Sequence, residues 1–87
     1  MRNNLSKEEI KALTIVSALF TEYGINRGWH TMASVSEVIA NVTIWCDTYA
    51  QLEEVVNNCL SLGAPLDDIE KRYLMKHDIY SVTYTGI

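Results

Sequence analysis

Cysteine is scarce in this chain. Cys46 and Cys59 are its only two, and no Cys-x-x-Cys occurs. His30 and His77 stand at no ligand spacing from either, so neither a disulfide framework nor a zinc site is expected. Both cysteines lie among apolar residues, the setting of free buried thiols and of a reducing compartment. Long apolar runs are missing as well. Nothing approaches the ~20 residues of a membrane span, and the opening MRNNLSKEE has no signal-peptide core. A soluble cytoplasmic protein with no membrane association is the expectation. Glycine-rich phosphate loops, nucleophile elbows and triad spacings are absent too, so no enzyme and no cofactor are expected. Asp67, Asp68 and Glu70 cluster after Pro65, but a solvated loop accounts for them better than a metal does. Basic residues are few. Seven Lys and Arg against eleven Asp and Glu leave a formal charge of −4, which counts against simple electrostatic binding of nucleic acid.

What remains is enough for one small domain. The chain has 87 residues, 48% of them hydrophobic, so a core can form without staples, although much surface stays exposed at this size. The residues organise around Thr48–Gly63. Leu52, Val55, Val56, Cys59 and Leu60 repeat at the spacing of one buried helical face. Thr48 and Gln51 form a capping box at the start, and Gly63 stands where a left-handed C-cap is wanted. The opposite face shows Gln51, Glu54, Asn57, Asn58 and Ser61.

Before it, Ser6 and Glu9 cap a helix that runs to about Tyr23, where Gly24 ends it. Its apolar arc is wide and holds Ala12, Leu13, Ile15, Val16, Leu19, Phe20 and Tyr23. Two readings fit: a helix packed between others, or a homodimer interface over Ala12, Ile15, Val16, Leu19 and Tyr23. Trp29–Met32 reads as a short extended segment. Ser34 and Glu37 form a third capping box, followed by a short helix to about Val42 on the face Val35, Val38, Ile39, Val42. Residues 43–47 then connect two helices as a helix-turn-helix.

After Pro65, Leu66, Ile69, Tyr73 and His77 also fit a helix, but a hairpin fits better. A two-residue turn at His77-Asp78 pairs Met75 with Tyr80, Tyr73 with Val82 and Lys71 with Tyr84. Ile69, Tyr73, Met75, Tyr80, Val82 and Tyr84 then share a face. The expected fold is thus mainly α with a small hairpin, in the order α-β-α-α-β-β, with residues 1–5 loose and 66–87 forming the wing.

Three segments resemble MarR- and PadR-like winged helix-turn-helix regulators. Tyr80, Val82, Thr83 and Gly86 follow the Tyr-x-Leu-Thr-x-x-Gly that closes their wing, with Val for Leu. Leu60-Ser61-Leu62-Gly63 is similar to their Leu-x-Leu-Gly. The opening SKEEIKALTIVSALFTEYG is similar to their first helix. The chain departs from them in a bulky Ile44-Trp45 connection without glycine, and in having no helix after Gly86. The resemblance implies a homodimeric transcriptional regulator that binds double-stranded DNA. Gln51, Glu54, Asn57 and Asn58 would meet base edges, and Lys71, Arg72, Lys76, His77 and Arg27 would meet phosphates. Against this, Glu53 and Glu54 would repel phosphate. The alternative is an acidic winged-helix module that binds a protein partner and no DNA.

Overall fold

The structure is a computed structural model that describes residues 5–87. The expected loose N-terminus lies outside these residues except for Leu5. Helix α1, Lys7–Leu19, starts where the sequence places it. The Ser6 hydroxyl accepts from the Glu9 N–H at 3.1 Å, and the Glu9 carboxylate accepts from the Ser6 N–H at 2.9 Å. Gly24 does not stop this helix. The chain continues through a π-helical segment, Phe20–Asn26. Here Gly24 serves close approach, because a Cβ on it would run into the Thr31 hydroxyl.

Two strands follow, β1 (Thr31–Val35) and β2 (Ala40–Cys46). The expected helix over 34–42 does not form, and the Ser34/Glu37 capping box with it. Ser36–Ile39 is the turn of a hairpin, in which the Ser36 N–H donates to the Ile39 carbonyl at 2.8 Å. The helix-turn-helix connection is likewise strand. Ala40, Val42, Ile44 and Cys46 alternate buried with the half-buried residues between them, and such β-branched density favours a pleated surface.

Helix α2 spans Tyr49–Ser61. The Thr48 hydroxyl accepts from the Gln51 N–H, while the Gln51 side chain accepts from Asp47 N–H rather than from the cap residue. Gly63, at φ +97°, ends it in the left-handed region, and the Ala64 N–H reaches back to the Cys59 carbonyl at 3.0 Å. Leu52, Val55, Val56 and Cys59 are buried as expected, but Leu60 is exposed.

A 3-10 turn, Leu66–Asp68, leads into β3 (Ile69–Leu74) and β4 (Ile79–Thr85). This hairpin is shifted by two residues from the expected register. Tyr73 faces Tyr80, Lys71 faces Val82 and Ile69 faces Tyr84. Asp78 takes φ +50°, and its carboxylate accepts from the Tyr73 hydroxyl at 2.9 Å, so the turn takes up Met75–Asp78. A shift of two preserves every side chain's face.

The strands form one antiparallel sheet in the order β1-β2-β4-β3. The protein is therefore a small α+β domain of two helices on a four-stranded sheet, with element order α-β-β-α-β-β. Its core lies between the helices and one face of the sheet.

Candidate functional site

The residues expected to read DNA are not gathered on one surface. Gln51 caps the chain before α2. Glu54 pairs with Arg27, whose guanidinium lies 4.4 Å from the Trp29 ring centroid. The Asn58 amide donates to the Tyr23 hydroxyl at 3.1 Å. Asn57 stays exposed on the helix. The hairpin cations divide by strand parity. Lys71 is on the helix-bearing side, beside Tyr49, Glu53 and Asn57. Arg72 is on the opposite side, 4.0 Å from Glu70. Lys76 and His77 are in the turn.

The five residues expected at a dimer interface lie in the core. Ala12, Ile15, Val16, Leu19 and Tyr23 are at most 2% exposed within the single chain, so this part of the apolar arc packs inside the chain, while Leu13 and Phe20 are only half-buried. Burial is the main reason the Tyr23 hydroxyl is pushed up to about 12, with the Asn58 hydrogen bond working the other way. Burial likewise raises the Cys46 and Cys59 thiols to about 11.

A different surface remains open, at the edge of the sheet. The sheet has two edges, β1 and β3. β3 reads IEKRYL and carries Glu70, Lys71 and Arg72, the charges that protect an edge from further pairing. β1 reads TMASV, with no charge and no proline, and four of its five residues are exposed. Its hydrogen-bond parity is fixed by its neighbours. The Trp45 N–H donates to the His30 carbonyl at 3.0 Å, and Ser36 N–H to Ile39. Even-numbered residues thus bond to β2, and Thr31, Ala33 and Val35 direct their N–H and C=O outward.

Those same three residues face the helix layer. There Ala33 and Val35 join Leu13, Val16, Phe20 and Ile25 in an apolar groove of about 520 Å³. Ile25 is 66% and Val35 58% exposed. An edge of unpaired backbone beside an apolar groove is the arrangement that accepts an added strand. TMASV is uncharged in the sequence, but only the sheet order makes it an edge.

Among the described residues, no group of three or more His, Cys, Asp or Glu is placed to hold a metal, and no helix is long and apolar enough to cross a membrane. Comparisons with family models, with curated proteins and with solved structures give no match for the chain.

Proposed function

We propose that this chain is a protein-interaction module that takes an extended, uncharged polypeptide strand along the free edge of β1. The observation that carries this reading is the contrast between the two sheet edges, one charged and one bare. The bound strand would pair with the backbone of Thr31, Ala33 and Val35 and set alternate apolar side chains into the groove at Phe20 and Ile25.

Sequence-specific DNA binding as a winged helix has less support. Hairpin β3–β4 and helix α2 would suit a wing and a reading helix. However, Gln51, Glu54 and Asn58 are engaged within the chain, the cations are divided, and the helix that should precede α2 is strand. An acidic protein partnered with protein is the better account of these features.

Panning a random-peptide display library on wild type and on Ala33→Pro tests the reading. Proline at 33 removes an outward N–H and leaves the β1–β2 ladder whole, which an edge strand tolerates. Peptides with apolar or β-branched residues at alternate positions should be enriched on wild type and not on Ala33→Pro. Equal enrichment on both proteins would contradict the proposal.

A further inference from the structure

The bare edge also specifies its own best partner. Resting on the reading of β1 as a strand-accepting edge, we infer that the strand it takes is β1 of a second copy. The two would pair antiparallel about a two-fold axis at Ala33. Outward-directed backbone groups at 31, 33 and 35 are spaced evenly around Ala33. In this register Ala33 meets Ala33 of the other copy, and Thr31 meets Val35, each exchanging both of its bonds. Any register displaced from this centre leaves some of these groups without a partner.

The side chains fit the same symmetry. Alanine sits where the axis crosses, so no bulk is opposed to bulk. Thr31 opposite Val35 sets two β-branched residues together, a favourable cross-strand pair. On the outer face Met32 lies opposite Ser34. No charge occurs from 31 to 35, so two copies of a chain with net charge −4 meet without like charges opposed along the ladder.

The groove is completed by the same operation. Ile25 and Val35 are each more than half exposed. A two-fold contact brings the same apolar patch from both copies together, since such an interface is self-complementary. The result joins two four-stranded sheets into one continuous sheet, with both α1 helices on the same layer. The charged β3 edges remain at its ends and limit growth to a dimer.

Sedimentation and disulfide mapping test this together. At micromolar concentration the wild-type mass should be about twice 9.9 kDa, and Ala33→Pro should weaken association by roughly tenfold or more, the loss of hydrogen bonds at the axis. Met32→Cys and Ser34→Cys proteins, both changed at exposed positions, are then mixed and mildly oxidised. Residues 32 and 34 form a non-hydrogen-bonded pair in the proposed ladder, with Cα atoms about 4.5 Å apart, inside the disulfide range of about 4.4–6.8 Å. The mixed 32–34 cross-link should exceed either homodimeric one, and buried Cys46 and Cys59 should not compete. A monomer would overturn the inference. So would a dimer without the mixed cross-link. Either result leaves the peptide-panning experiment to decide separately whether β1 accepts a different strand.

Discussion

Buried thiols and phenols should make the fold sensitive to alkali, Cys46, Cys59 and Tyr23 foremost and Tyr84 in the same direction. The Cys46 and Cys59 thiols rise from 9.0 to about 11, and Tyr23 rises from 10.0 to about 12, all mainly through burial. In each case the folded value lies above the unfolded one, so the folded chain keeps its proton where the unfolded chain has lost it. The stability contributed is full below pH 9, begins to fall as the unfolded thiols ionise, and is lost as pH rises through 11 and then 12. Thermal melts from pH 7 to 11 should show a falling Tm above pH 9, with thiol-reagent labelling slow until the chain unfolds. In Cys46→Ala/Cys59→Ala the decline should start nearer pH 10. A Tm equally pH-dependent in both proteins would argue against thiol burial as the cause. Asn58 has a different part from the one its exposed-looking spacing suggested. Its amide donates to the Tyr23 hydroxyl, so Asn58→Ala should cost about 1–2 kcal/mol of stability in denaturant titrations.

At the scale of elements, the sequence carried the two helices well and the first hairpin badly. Ser6–Glu9 and Thr48–Gln51 announce helix starts by hydrogen bonds that form locally, and Gly63 marks an end by a backbone angle. Such signals survive any tertiary arrangement. Val35, Val38, Ile39 and Val42 fit a helical stripe, yet Ala40, Val42, Ile44 and Cys46 fit a strand over overlapping residues. Periodicity alone does not choose between them. Long-range pairing of β2 with β4 chose the strand, and β-branched side chains made that choice favourable. The β1 edge was illegible for a related reason, since an edge exists only once the sheet order is known. In the β3–β4 hairpin the two-residue register slip came from Asp78, whose left-handed conformation the sequence did not announce. The arc of α1 was legible as apolar, but what covers it was not. Leu19→Ala should cost about 2–5 kcal/mol. The difference from wild type should be the same at every protein concentration, because Leu19 is fully buried within one chain. Gly63→Ala should cost about 1–2 kcal/mol for placing a side chain in the left-handed region.

At the scale of the whole molecule, charge and sheet edges point the same way. A net charge of −4, with Lys71 and Arg72 on opposite sides of the sheet, disfavours attraction to a phosphate backbone. Fluorescence anisotropy with random duplex DNA at physiological salt should therefore show no binding tighter than about 10⁻⁴ M. Glu54→Gln should not change that, because it removes the partner of Arg27 rather than a charge facing DNA. If the outward backbone of β1 is an interaction edge, residue-resolved amide hydrogen exchange as a function of protein concentration should reveal it. The amides of Met32 and Ser34 bond to β2 and should be protected at every concentration. Those of Thr31, Ala33 and Val35 should exchange fast in dilute protein and become protected as concentration rises, with Ala33→Pro abolishing the gain at the two remaining amides. Fast exchange at Thr31, Ala33 and Val35 at all concentrations, and equally with a panned peptide present, would contradict the account.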